Sequence, residues 1–363
     1  MNADFILAIG ELGKEKGIDP ELLFQAVEEA LVTAYKKNFG SNQNVRVDMN
    51  KVTGELHIYA QRHIVAEVGD DPNEISLEEA RKIDPRYEVD DIVETEVTPR
   101  NFGRIAAQNA KQVVVQRIRE AERGMVFENF SSRENDIVTG IIQRMENKNV
   151  YIDLGKAEAI LTPNEQIPGE IYQYHDRMKT YIVEVKKTSK GPQIMVSRTH
   201  PGLLKRLFEL EVPEIHDGLV EIKSVAREPG MRSKISVYTK DENIDPVGAC
   251  VGHKGMRVQT IVNELRGEKI DIVKYSSEPD QYVANALSPA KVVSTEVLEE
   301  EKICRVIVPD YQLSLAIGKE GQNARLAAKL TGWKIDIKSE SQAAEEAEQG
   351  AQEVGVAYEA DED

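Results

Sequence analysis

The chain has 363 residues and a formal net charge of −17, and aromatic residues make up only 6% of it. This length predicts two to four domains with mainly aliphatic cores. The sequence has no apolar run long enough to span a membrane and no hydrophobic leader after Met1, so we expect a soluble, cytoplasmic protein without membrane contacts.

The negative charge is concentrated in two segments, which leaves the rest of the chain nearly neutral. Residues 64–96 carry twelve acids against three bases, and residues 339–363 carry nine acids and no base. The local charge of a surface matters more for binding phosphate than the net charge of the whole chain. The negative net charge therefore does not exclude nucleic acid as a partner. Bases outnumber acids in segments 100–123, 177–198, 223–240 and 302–338.

The first predicted helix begins at Asp19-Pro20-Glu21. Aspartate can cap a helix, proline suits the first helical position, and glutamate is favoured at the positive end. Apolar spacing extends this helix to about Gly40, and two strands follow at Val45–Met49 and Leu56–Tyr59. These elements indicate an α+β module over residues 1–126.

A second long helix is predicted over about residues 101–123. Three basic side chains, Arg100, Arg104 and Lys111, fall within roughly 40° of one another around its axis and lie opposite its small apolar residues. Such a stripe can face phosphate or an acidic protein surface. A polar face that is merely solvated is an equally good interpretation.

Residues 134–199 alternate apolar and polar positions, with turn residues between the runs. This pattern predicts an OB-type β-barrel, a fold that binds oligonucleotides on one face, although a purely structural barrel is an alternative. The runs Ile152-Asp-Leu-Gly155 and Ile194-Met-Val-Ser-Arg198 resemble an S1 domain, which makes Lys186 and Arg198 candidate RNA contacts. The stacking rings in these predicted strands are those of Tyr151 and Tyr181.

A repeated unit occupies the last part of the chain. Gly252-His253-Lys254-Gly255 and Gly318-Lys319-Glu320-Gly321 each follow an apolar segment and precede a helix-periodic stretch and a Lys-Ile-Asp-Ile strand. With the helix and strand pair upstream, each copy has the order αββααβ of a type II KH domain, whose GxxG loop clamps a nucleic-acid backbone. We assign KH domains to residues 200–276 and 277–340. A helix-turn-helix packed only for stability is the alternative.

Glycines suit this loop because a bare backbone lets phosphate approach the amides at a helix N-terminus, and intervening bases add charge-assisted contacts. Glu320 places an acid where a cation would help, so we expect the first loop to bind phosphate better. The candidate RNA-binding residues are Gly252, His253, Lys254, Gly255 and Arg257 in the first copy, and Gly318, Lys319, Gly321 and Arg325 in the second.

The order of these modules in a multidomain α+β chain resembles the family of the bacterial transcription elongation/termination factor NusA. The resemblance also rests on Asp19-Pro20-x-Leu-Leu-x-x-Ala-x-x-x-Ala-Leu and on the run from Pro99-Arg-Asn-Phe-Gly-Arg to Gln108. It implies that the N-terminal module binds RNA polymerase near the RNA exit, and that the S1 and KH domains bind nascent RNA. Pausing, termination and antitermination would be modulated, with other antitermination factors as candidate partners.

The alternatives are an RNA-binding accessory of an exoribonuclease and a protein of ribosome maturation. The sequence contains no phosphate-binding P-loop, zinc-protease or serine-hydrolase motif, so we expect a monomeric binding protein without catalysis, cofactor or metal. Cys250 and Cys304 lack metal-ligand spacing and are interpreted as core residues. Residues 341–363 are acidic and poor in apolar side chains, which predicts a disordered tail.

Overall fold

The computed structural model describes residues 3–39, 42–69 and 72–346. The chain divides into two compact units at Glu128/Asn129. The predicted fold class is confirmed, because an α+β unit precedes a β-barrel and two αββααβ domains. Among the described residues, no helix combines the length and apolarity needed to cross a membrane.

The described part of the first unit contains four helices and a four-stranded sheet. Asp19 caps the second helix as predicted, accepting a hydrogen bond from the Glu21 amide at 2.9 Å. Phe102 is fully buried edge-on against Tyr35, with ring centroids 5.9 Å apart, and joins the two long helices. The elements are α1 (Ala3–Lys16), α2 (Pro20–Phe39), β1 (Asn44–Met49), β2 (Leu56–Val65), β3 (Glu74–Ser76), α3 (Leu77–Ile83), β4 (Ile92–Glu96) and α4 (Phe102–Ser131).

This unit contains elements that the sequence patterns did not predict. Helix α1 carries two glycines, which weaken its helical signal, yet Ile6 and Ile9 bury it in the main core. The described residues of the acidic segment, 64–69 and 72–96, also include folded elements, because β3, α3 and β4 enclose a small separate core. That core consists of Ile64, Ile75, Ala80 and Val93. Four residues are too few to give a recognisable apolar pattern in a segment that contains twelve acids.

The second unit begins with a closed five-stranded barrel, as the alternating pattern predicts. Its strands follow the order β5-β6-β7-β9-β8 around the barrel, with β7 and β9 parallel. The core of the barrel is aliphatic. The strands are β5 (Ile137–Glu146), β6 (Asn149–Asp153), β7 (Glu158–Leu161), β8 (Arg177–Thr188) and β9 (Gly191–Ser197).

Two αββααβ domains follow the barrel, and each sheet has an antiparallel and a parallel strand pair. The first KH domain comprises α5 (Pro201–Glu211), the short α6 (Pro213–His216), β10 (Glu221–Glu228), β11 (Arg232–Tyr238), α7 (Pro246–Val251), α8 (Met256–Glu264) and β12 (Lys269–Lys274). The second comprises α9 (Pro279–Ala286), β13 (Ser294–Leu298), β14 (Ile303–Val308), α10 (Leu313–Ile317), α11 (Gln322–Thr331) and β15 (Lys334–Ser339).

A buried arginine joins the barrel to the first KH domain. The Arg198 side chain is only 1% exposed and pairs with Glu170 of the barrel. It also donates to the backbone oxygens of Lys179 at 2.9 Å and of Glu264, the last residue of α8, at 3.0 Å. The prediction that Arg198 contacts RNA is therefore wrong, because its guanidinium is enclosed between two domains and fully hydrogen bonded.

A buried lysine joins the two KH domains. Lys234 of β11 is fully buried, and its Nζ donates to Asp271 at 3.0 Å and to the backbone oxygen of Ser288 at 2.8 Å. Burial lowers the pKa of Lys234 and outweighs the opposite effect of the Asp271 carboxylate. Helix α11 of the second domain packs on β10 and β11 of the first. One face of the first KH sheet is thus covered by the second KH domain.

The chain after β15 begins as a helix over residues 340–346. The Ser341 hydroxyl donates to Asp310 at 2.9 Å, and Lys338 pairs with Glu346. The prediction of a disordered tail is wrong for residues 341–346, because these local bonds anchor them. Its remainder, 347–363, lies outside the described residues.

We expect Arg198→Met to destabilise the second unit by about 3–5 kcal/mol, because it removes the main cationic partner of the buried Glu170 carboxylate. The control is Arg305→Met, which removes an exposed arginine that pairs with Glu296 at 3.4 Å and should cost less than about 1 kcal/mol. Urea unfolding of the full chain, followed by circular dichroism, measures both. Equal shifts of the two variants would contradict this account of Arg198.

Candidate nucleic-acid interface

The two GxxG loops have the same backbone conformation. Gly252 and Gly318, the first glycines, have φ of 73° and 76° with ψ of 176° and 172°. The third loop residues, Lys254 and Glu320, are left-handed with φ of 52° and 53°, and the closing glycines are left-handed as well. The sequence repeat therefore corresponds to a repeat of local geometry.

The first glycine of each loop is required by space as well as by backbone angle. A Cβ at Gly252 would lie 2.7 Å from Cγ of Arg257, and one at Gly318 would lie 2.8 Å from the backbone nitrogen of Asn323. At Gly255, by contrast, no described heavy atom outside the glycine and its two chain neighbours lies within 4 Å of such a Cβ. The side of the loop at the closing glycine is open, as the approach of a ligand backbone requires.

Helices α8 and α11 begin directly after these loops. Within the part of the chain that the structure describes, neither helix has a side-chain cap at its N-terminus. The amides of Met256 and Gln322, which begin the two helices, donate to the backbone oxygens of His253 and Lys319, and the helix dipole favours negative charge at both N-termini. This geometry suits a phosphate group.

Arg257 and Asn323 occupy the same position, five residues after the first glycine, and brace the loop from behind. Nη1 of Arg257 donates to the Ala249 oxygen at 2.6 Å and to Glu214 at 2.9 Å. Nδ2 of Asn323 donates to the Ala316 oxygen at 3.0 Å. Arg257 was expected to contact RNA, but its half-buried guanidinium is used to hold α7 against α8.

The loop cations are exposed but differ in position between the two copies. In the first loop, His253 and Lys254 occupy the second and third positions. In the second loop, Lys319 occupies the second position, and Glu320 takes the left-handed position that Lys254 has in the first. Since the backbones match, the two loops would present charge to a bound strand at different points.

Arg325 links the second loop to the first KH domain. Its Nη1 donates to the Glu320 oxygen at 3.1 Å, and its Nε pairs with Glu228 at 2.6 Å. Gln322 donates to the same carboxylate at 2.8 Å. The hydrogen bond from Arg325 is the main reason that the pKa of Glu228 is lowered. Arg325 is half exposed, so it positions the second loop while keeping part of its guanidinium at the surface.

The barrel presents a second group of residues. Lys186 is exposed and pairs with Glu184 at 2.8 Å. Tyr181 is buried and stacks on His200 with centroids 4.6 Å apart, so it offers no free ring. Tyr151 is half-buried beneath Arg144, whose Cζ lies 4.1 Å from the ring centroid.

The sequence interpretation did not identify Arg144. It lies opposite Tyr151 because the pairing of β5 with β6 shifts between Ile142 and Arg144. Only a correct strand register, including this bulge, could have found the pair, because the bulge decides which residue of β5 lies opposite Tyr151.

In the first unit, α4 shows the predicted two faces. It buries Phe102, Ala106, Ala110 and Val114, which follow one another at four-residue intervals. Arg100, Arg104 and Lys111 are exposed. The exposed stripe is compatible with a binding role and with a solvated face.

Comparison with known proteins identifies each part of the chain. Four family models match in order: the NusA N-terminal domain over residues 4–124, the S1 RNA binding domain over 131–197, the NusA-like first KH domain over 198–275 and the NusA-like second KH domain over 279–345.

Curated relatives match almost the whole chain. The transcription termination/antitermination protein NusA of Halalkalibacterium halodurans is 66% identical over 345 residues, covering 95% of this chain and 90% of that protein. The protein of the same name from Bacillus subtilis is 65% identical, with coverages of 95% and 93%. The solution structure of the N-terminal domain of NusA from B. subtilis is 55% identical, covers 34% of this chain and 99% of that one, and has a TM-score of 0.31.

The two glycines of the first loop should differ in their tolerance of alanine. Gly252→Ala adds a Cβ that collides with Arg257 and should destabilise the loop by up to about 3 kcal/mol. Gly255→Ala introduces only left-handed strain, about 1 kcal/mol. Hydrogen exchange of the amides in α7 and α8 measures the difference, and equal exchange rates in the two variants would refute the steric argument.

Proposed function

Because the chain belongs to the NusA family of transcription termination/antitermination proteins, we propose that it binds RNA polymerase and nascent RNA and thereby modulates pausing, termination and antitermination. The RNA would be held by the S1 and KH domains and the polymerase by the N-terminal unit. This role requires binding rather than catalysis.

The main support for RNA binding is that two GxxG loops with the same backbone geometry lie in a single compact unit. Each loop opens onto the uncapped start of a helix and carries an exposed cation, Lys254 in the first loop and Lys319 in the second. Two such sites on one strand bind more tightly than either alone, since the second contact is intramolecular.

The junctions between the domains support binding of an extended strand. Arg198 ties the barrel to the first KH domain, and Lys234 ties that domain to the second. Glu228 further ties the second loop to the end of β10. Because these contacts preset the spacing of the loops, little conformational entropy is lost when one strand contacts both.

The polymerase-binding part is supported by the match of residues 4–124 to the NusA N-terminal domain. Arg104 and Lys111 are exposed on α4, and Arg100 is exposed just before this helix. We assign this stripe to contact with exiting RNA or with an acidic surface of the polymerase. Docking at the polymerase would raise the concentration of RNA near the KH domains, so that modest RNA affinity suffices.

The effect on transcription would follow from which RNA segment is held. A strand bound in single-stranded form is withheld from base pairing while it occupies the GxxG loops. Withholding one arm of a hairpin would oppose its formation, whereas withholding a competing segment would favour it. The same binding surface can therefore act in termination and in antitermination.

Charge reversal in both loops should weaken RNA binding without unfolding the protein. In the combined variant His253→Asp, Lys254→Asp and Lys319→Asp, phosphate would meet carboxylates, and aspartate tolerates the left-handed position of Lys254. We expect affinity for single-stranded RNA to fall at least about tenfold at low salt, with a shallower dependence of log affinity on log salt. Fluorescence anisotropy measures both.

A matched control for these loop substitutions is Lys291→Asp with Lys302→Asp, which reverses exposed charges of the second KH domain outside its loop. It should change RNA affinity much less. Unchanged affinity in the folded loop variant would remove the RNA-binding part of the proposal.

Reversal of the α4 stripe tests the polymerase-binding part. Arg104→Glu with Lys111→Glu should abolish stimulation of pausing, because both side chains are exposed and opposite the buried face. RNA affinity of the full chain should fall by less than about twofold, since the KH loops are unaltered. Transcription assays with purified polymerase measure pausing, and full stimulation by the variant would show that the stripe is only solvated.

A further inference from the structure

A basic cluster lies at one end of the first KH sheet, apart from the residues of the GxxG loop. Nζ of Lys223 is 2.7 Å from the Glu221 carboxylate. This hydrogen bond lowers the pKa of Glu221, and the charges of Lys240 and Lys205 lower it further. Lys205, Lys223 and Lys240 are thus close enough to Glu221 to stabilise its charged form, and all four residues are exposed. Asp241 and Glu209 also lie nearby, and Glu209 is paired with Arg206. The three lysines therefore face two carboxylates, those of Glu221 and Asp241, and retain one excess positive charge.

Two tyrosines border this cluster. Lys223 Nζ lies 5.2 Å from the centroid of the Tyr238 ring and 6.0 Å from that of Tyr275. The two rings meet edge to face, with centroids 5.9 Å apart and an interplanar angle of 83°. Tyr275 also packs on the buried Tyr282 at 5.0 Å. The rings are thus held rigidly while remaining partly exposed.

An open cavity of about 380 Å³ lies beside these residues. Its lining includes Lys205 and Lys240, the acids Glu209, Glu221 and Asp241, the ring of Tyr238 and the apolar side chains of Leu219 and Ile222. This volume is at the lower end of the range for small-ligand sites. It suits a ligand of nucleotide size that combines a flat apolar part with an anionic part. We call this cavity, with Lys205, Tyr238 and Lys240, the Tyr238 pocket.

We propose that the Tyr238 pocket is a further RNA-binding site, which takes one nucleotide of the single strand that the GxxG loops hold. Lys205 and Lys240 bind its phosphate, while the Tyr238 ring and the apolar floor contact its base. This inference rests on the proposed RNA-binding function. Aromatic rings beside lysines are how proteins bind single-stranded nucleic acid without reading its sequence.

An acidic peptide would use only part of this site. Its carboxylates could pair with the lysines, but the ring and the apolar floor offer it no matching planar group. A nucleotide uses both halves of the pocket. For this reason the combination of ring, cavity and cations favours RNA over an acidic protein segment.

The test removes the two pocket lysines from the full chain. Lys205→Gln with Lys240→Gln should weaken binding of a single-stranded RNA of about 20 nucleotides by roughly three- to tenfold at low salt. The slope of log affinity against log salt should decrease by about 0.7, since one phosphate contact on a single strand contributes about that much. The matched control, Lys291→Gln with Lys302→Gln, removes the same charge and should leave both quantities nearly unchanged.

A second variant tests the ring. Tyr238→Leu keeps apolar volume but removes the stacking surface, and should reduce RNA affinity about fivefold or more. Photocrosslinking of RNA that contains 4-thiouridine should label the peptide that includes Tyr238 in the unmodified protein.

Three results would overturn the site. The first is an equal loss of RNA affinity in the pocket variant, Lys205→Gln with Lys240→Gln, and in the control variant. The second is absence of the crosslink in the unmodified protein. The third is a pocket variant that loses binding to a polyglutamate peptide but retains its RNA binding. If the unmodified chain does not bind RNA, the proposed function itself fails, and this result is distinct from a failure of the pocket alone.

Discussion

Buried charges at the domain junctions are the interactions on which the arrangement of the second unit depends. Arg198 is enclosed between the barrel and the first KH domain, and Lys234 between the two KH domains. Separating the domains would leave these charges without their partners from the neighbouring domain, a loss that typically costs several kcal/mol. The three domains are therefore expected to move as one body, although each has its own fold.

This constraint gives the GxxG loops their joint significance. A single loop with one exposed cation contacts few phosphates and binds weakly. Two loops at a preset separation share one strand, and the strand loses less freedom on the second contact than on the first. Glu228 contributes directly, because it holds Arg325 and Gln322 beside the second loop. The same carboxylate belongs to the first KH domain, so the interface between the domains also positions a binding element.

Much of the architecture could be predicted from local patterns. The Asp19-Pro20 start of α2, the alternating strands of the barrel and the repeated αββααβ order are all found in the structure. These features depend on residues close together in sequence. The elements missed were α1, whose glycines weaken its pattern, and those of segment 64–96, whose core has four residues among many acids. A small core leaves too weak a periodic signal to be recognised in one sequence.

The sequence by itself determined most of the secondary structure and the GxxG turns, because hydrophobic period, capping and the left-handed backbone of glycine act over a few residues. Only the tertiary structure decided which cations are available to a ligand. Arg198 and Lys234 are buried and Arg257 braces its loop, whereas Lys254 and Lys319 remain exposed. No local pattern separates these groups, because a side chain is buried by whichever segment packs against it, and that segment is distant in sequence.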